Sequence, residues 1–119
     1  MLLAFSVAPS GRPARTAGDP PAGSAAGSVA VPVDEASVHD AVADAVRIVR
    51  ESGLPNHTDS MFTTIEGEWD EVFDVVRRAT EAVGRYGSRV SLVIKADIRP
   101  GFTGELTGKL DRLEQALGD

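Results

Sequence analysis

The chain has 119 residues, enough for one domain with one core, and carries 12 basic against 18 acidic side chains for a net charge of −6. That balance argues against a nucleic-acid backbone as a partner, and the absence of cysteine excludes disulfides, thiolate catalysis and thiolate-held metals. Aromatic residues make up only 5%, so Phe5, Phe62, Trp69, Phe73 and Tyr86 each mark a core or pocket position.

The first eight residues are apolar but too few to span a bilayer, and no basic stretch leads them as in a secretory signal. They are read as a strand over Leu2 to Val7, and the protein as cytoplasmic, with no membrane partner. Leu3, Phe5 and Val7 lie on one face and Leu2, Ala4 and Ser6 on the other, so both faces are largely apolar and both require cover. Residues 9–32 are rich in Pro, Gly, Ala and Ser without periodicity. Such a stretch cannot offset its ordering entropy, and a flexible insertion is expected, read as a tolerated surface loop rather than a functional lid.

Asp34 to Ser52 has helical spacing, with Val38, Ala41, Val42, Ala45, Ile48 and Val49 as the buried stripe, Asp34 or Ser37 as the cap, and Gly53 and Pro55 as the stop. His39 and His57 fall on different elements, and neither is assigned a metal or catalytic role. A weak strand over Asn56 to Met61 runs into a second over Phe62 to Glu66, with a turn between them that the residues do not locate. At Gly67 the pattern turns helical: Trp69, Val72, Phe73, Val76, Ala79 and Val83 form one stripe, with Glu68, Asp70 and Glu71 crowding the first turn, where the helix dipole favours negative charge. Residues 89–98 alternate strictly and form the strongest strand, ended by Pro100 and Gly101. Thr103 is then positioned to cap a last helix whose Leu106, Leu110, Leu113 and Leu117 share one side.

The order strand, helix, strand, strand, helix, strand, helix predicts an α+β, ferredoxin-like βαββαβ sandwich with an extra C-terminal helix, as one domain over residues 1–119. With the first and third strands central, the face away from the helices carries Leu2, Ala4, Ser6, Phe62, Thr64, Val93 and Lys95, too apolar for free exposure. Sheets are therefore expected to pack together in a homodimer or homotetramer.

Ser52-Gly53-Leu54, the run from Met61 through Thr63-Thr64-Ile65-Glu66-Gly67 to Val72, and Ile94-Lys95-Ala96-Asp97-Ile98-Arg99 resemble the small thiamine-binding proteins of the YkoF-like superfamily. The family pattern begins like Leu-Val-Ala-Phe-Ser-Val and has Ser-Gly-Leu after the first helix, a Met-Gly-Thr-x-Ile-Glu-Gly strand end and a Lys-Ile-Asp-x-Arg strand. The resemblance covers nearly all the chain outside residues 9–32. Two departures stand out: Phe62 replaces a Gly, and the loop after the first strand is much longer.

The resemblance implies a non-enzymatic binder of thiamine or its hydroxymethylpyrimidine part, with the ligand at or near subunit interfaces and no other cofactor. On that reading Glu66 takes the aminopyrimidine edge, and Ser6, Thr63 and Thr64 supply hydroxyls. Met61 or Phe62 offers a stacking surface, and Asp97, near Lys95, faces the cation. Strict alternation puts Thr63 and Thr64 on opposite faces: Thr64 shares a face with Glu66, whereas Thr63 matches the family motif. Structural roles compete with each assignment. Glu66 is equally a cap for the second helix, Lys95 and Asp97 a solvated pair, Met61 and Phe62 core or interface, and Ser6 an interface hydroxyl. A regulatory or structural assembly module without this ligand, and a dimeric ferredoxin-like enzyme, are the competing functions. No nucleophile with a nearby base, His-carboxylate pair or metal-ligand spacing supports the enzyme.

Overall fold

Alternating apolar residues at one end of the chain and β-branched runs further on build a four-stranded antiparallel sheet in the computed structural model, which describes residues 1–11 and 35–118. The elements are β1 (Leu2–Ser10), α1 (Glu35–Glu51), β2 (Asn56–Thr58), β3 (Thr63–Glu66), α2 (Trp69–Gly84), β4 (Arg89–Asp97) and α3 (Glu105–Gly118), with strand order β2-β3-β1-β4. This is the expected α+β ferredoxin-like topology with β1 and β3 central. The insertion expected over residues 9–32 lies, from residue 12 on, outside the described residues, as does Asp34.

The alternation of β1 divides the molecule. Leu3, Phe5 and Val7 point to the helices and join Ile65, Ala41, Ala45, Val49, Val72, Val76, Ala79 and Val83 in one core. Alanines at 41, 45 and 79 let α1 and α2 approach closely over the sheet, and the Tyr86 hydroxyl ties the end of α2 to α1 by donating to the Asp44 carboxylate. On the other face, Ala4 lies between Thr64 and Lys95, and Leu2 between Glu66 and Asp97.

Several boundaries and faces differ from the sequence reading. β1 does not stop at Val7; it pairs with β4 as far as Ser10, opposite Arg89, and turns off at Gly11 with φ +75°. Pro9 is tolerated in this strand because β3 pairs only up to Phe5, leaving that side of β1 without a ladder to complete. The same crossing requires Gly87, where a Cβ would come within 2.5 Å of the Ser10 carbonyl oxygen. β2 is three residues rather than six. The α2 stripe is rotated: Val75 and Ala82 are buried, whereas Trp69 and Phe73 lie outside, their rings stacked at 5.4 Å. Ser37 lies within α1 rather than at its cap. In α1, Val42 is 42% exposed instead of buried in the stripe.

Candidate functional site

The turn between β2 and β3, which the residues did not locate, is built by Asp59. Its Oδ1 accepts from the backbone N–H of Met61 (2.8 Å) and of Phe62 (2.9 Å), while its own N–H donates to the Phe62 carbonyl at 2.9 Å. A short polar side chain bonding the backbone two and three residues on is the usual chemistry of such turns. The hairpin is closed below by the Thr58 and Thr63 hydroxyls, 3.1 Å apart. Those amide donors, and the positive field of His57, hold the Asp59 carboxyl below its ordinary range.

Since β3 ends its pairing at Phe5 while β1 runs on to Ser10, a gap opens beside β1. This gap is a cleft of about 230 Å³ with the Phe5 to Ala8 backbone on one side, Val42, Ala45 and Val46 of α1 on another, and the Thr58 to Thr63 hairpin as its rim. Val42 is exposed because it faces this cleft instead of the core. Ser6, Met61, Phe62 and Thr63 all line it, so half of the predicted site residues converge here. Sequence reasoning missed Thr58, Asp59, Ser60, Val42 and Val46; the Asp59-Ser60 pair between two β-patterned runs was the available signal.

The other four predicted residues lie elsewhere. Thr64, Glu66, Lys95 and Asp97 share the face away from the helices, and Glu66 is three strand positions from Thr63, about 10 Å along the sheet. Glu66 is 7% exposed with both oxygens engaged: Oε2 accepts from the Glu105 N–H at 3.0 Å and Oε1 from the Leu106 N–H at 3.1 Å. It therefore caps a helix, but the helix is α3 and not the second one. α2 is served by Glu71, whose carboxylate accepts from the Glu68 N–H at 3.0 Å. Thr103 is likewise not the cap of α3, since the helix begins two residues later, after Gly104, and takes its carboxylate from across the sheet. Asp97 pairs with Lys109 rather than with Lys95. Arg112 bonds Glu105 at 2.7 Å, and the Arg99 guanidinium lies 3.6 Å over the Phe102 ring. The Glu66 carboxylate and the Lys109–Asp97 pair fasten the first turns of α3 to the end of the sheet, while the Arg112–Glu105 bond lies within the helix and the Arg99–Phe102 contact within the segment leading to it. Among the described residues, no group of three or more His, Asp or Glu side chains is placed to hold a metal, and no helix is long and apolar enough to cross a membrane.

Residues 28–114, about three quarters of the chain, match the family described as thiamine-binding protein. The chain belongs to that family. Thiamine-binding family membership supports a small-molecule binding role for it. UPF0045 proteins of Mycobacterium bovis and Mycobacterium tuberculosis are 54% identical over 81 residues, spanning 67% of this chain and 79% of theirs. Among solved structures, a Bacillus cereus domain of unknown function, DUF77, superposes with a TM-score of 0.61 at 29% identity, covering 88% of this chain and 83% of that one. A Thermotoga maritima protein named for an inferred role in thiamine biosynthesis or salvage superposes at 0.64 with 18% identity, over 94% and 96% of the two chains, and shares the fold. The family match begins only at residue 28, so β1 lies outside the matched span although it forms the centre of the sheet.

Proposed function

We propose that this member of the thiamine-binding family is a non-enzymatic binder of thiamine or its hydroxymethylpyrimidine part, and that the ligand ring enters the cleft between β1, α1 and the β2–β3 hairpin. The observation that carries this reading is the convergence there of Met61, Phe62 and Thr63, the start of the family's strand motif, with Ser6 of β1 and the apolar side of α1. Phe62 and Met61 supply a stacking surface for a heteroaromatic ring, and the Ser6 and Thr63 hydroxyls, together with peptide groups of β1 that β3 leaves unpaired, supply donors and acceptors for its edge. About 230 Å³ is small beside the roughly 300–1,000 Å³ of pockets for drug-sized ligands, which suits one ring better than two. The two threonine hydroxyls at the rim bond each other rather than a base, an arrangement suited to holding a ligand and not to generating a nucleophile. In this assignment Glu66, Lys95, Asp97 and Thr64 serve the α3 anchor and the open face instead of contacting the ring.

We also read the protein as a homo-oligomer, dimer or tetramer. Two uncovered apolar surfaces support this: the sheet face with Leu2, Ala4 and Val93, and the α3 side carrying Leu110, Leu113 and Leu117. Calorimetric titration with thiamine and with hydroxymethylpyrimidine tests the ligand assignment. Heat of binding for at least one of them is expected, and silence for both into the millimolar range would leave an assembly module without this ligand as the better reading.

A further inference from the structure

Asp59 is the one charged side chain lining the cleft among the described residues, and it is held in place. Its Oδ1 is committed to the Met61 and Phe62 amides, and the Asp59 N–H to Phe62 carbonyl bond closes the same turn, so the carboxylate cannot swing away without breaking the hairpin. Oδ2 has no hydrogen-bond or salt-bridge partner among the described residues, which leaves it available to a ligand. Phe62, beside it in the same lining, adds an aromatic side chain, a kind of group that also attracts cations. The opposite wall, Val42, Ala45 and Val46, is apolar and brings no cation to pair with that charge. Among the described residues no Lys or Arg lines the cleft, and no helix begins in it, so neither of the usual phosphate holders is present there.

We propose that Asp59 makes the cleft selective for cationic, unphosphorylated heteroaromatic ligands and turns away their phosphate esters. This rests on the ligand reading above and deepens it: a ring stacked at Phe62 leaves its substituents at the hairpin rim, where the fixed carboxylate attracts a positive group and repels a phosphate.

The test compares thiamine, whose thiazolium is a permanent cation, with thiamine diphosphate by calorimetric titration of the full chain at fixed ionic strength, before and after Asp59→Asn. Asparagine keeps an oxygen that can accept from Met61 and Phe62 and removes the charge, and an unchanged thermal unfolding midpoint verifies that the turn survives. Thiamine is expected to bind the unsubstituted protein about tenfold more tightly than the diphosphate; the substitution is expected to weaken thiamine about fivefold and narrow the gap between the two. Equal or tighter binding of the diphosphate, or a thiamine affinity indifferent to Asp59→Asn, overturns this inference while leaving the ligand reading intact. No binding of either compound to the unsubstituted protein overturns this inference, and silence with hydroxymethylpyrimidine as well overturns the ligand reading beneath it.

Discussion

Glu66 lies in the Thr-x-Ile-Glu-Gly segment that resembles the family pattern, yet in this structure its carboxylate is spent on backbone amides 39 and 40 residues further on. A buried carboxylate that accepts two N–H groups at a helix start satisfies two orphan donors and meets the positive end of the helix dipole. Replacing it by Gln leaves one acceptor where two were used and turns an amide N–H₂ toward a donor. Glu66→Gln is expected to cost about 1–2 kcal/mol and to raise hydrogen exchange at the Glu105 and Leu106 amides, while the Thr63 amide in β3 keeps its protection. Equal loss of protection at both places would mean that Glu66 supports the sheet as a whole and not the helix. Asp59 is its counterpart at the far end of the hairpin, a carboxylate that also receives two backbone amides but stays open on its other oxygen. Local geometry alone thus separates the carboxylate that holds the fold from the one that is free to meet a ligand.

Among the elements, α3 is held differently from the others. α1 and α2 bury continuous stripes in the core, whereas α3 is attached through its first turns by charged groups, Glu66 at the backbone and Lys109 on Asp97, with Arg112 on Glu105 bracing the helix from within. The Lys109 ammonium holds the Asp97 carboxyl below its ordinary 3.8, and the Arg112 guanidinium does the same to Glu105 relative to 4.5. Carboxyls depressed in the folded state contribute stability that is complete above their unfolded values and is lost as pH falls through the lower, folded ones. The Lys109–Asp97 attachment of α3, and the Arg112–Glu105 bond inside the helix, are therefore expected to weaken as pH drops below about 4, before the helix-packed core does. Limited proteolysis or exchange at residues 105–118 between pH 6 and pH 3 measures it, and an α3 that remains protected down to the global unfolding transition would contradict it. β4 is exposed along nearly all its length, so its strict alternation, the clearest strand signal in the sequence, does not translate into burial within one chain.

At the scale of the whole molecule, a protomer with Val93, Leu110 and Leu113 each more than half exposed keeps apolar surface that a lone chain leaves in water. Self-association is the expected remedy. Sedimentation should give a species of two or four chains, and Val93→Asp or Leu113→Asp should shift it toward monomer with the helical circular dichroism retained, since neither side chain belongs to the core. A monomer for the unsubstituted protein at micromolar concentration would contradict the assembly. If the cleft and the associating surfaces act separately, ligand affinity survives in the dissociated variants, since neither Val93 nor Leu113 lines the cleft.

Much of this architecture was written locally. Periodicity at 3.6 and at 2 specified which segments are helix and strand, their order, and the opposite facing of Thr63 and Thr64, because those patterns depend on each residue's immediate neighbours. The Thr-Thr-Ile-Glu-Gly run likewise carries the family resemblance in sequence alone. Tertiary structure alone decided three things: that β3 stops short beside a longer β1 and so opens a cleft, that Val42 faces it, and that Glu66 meets α3. Each depends on where distant parts of the chain come to rest against one another, and a carboxylate at a strand end is the same in sequence whichever helix arrives to claim it.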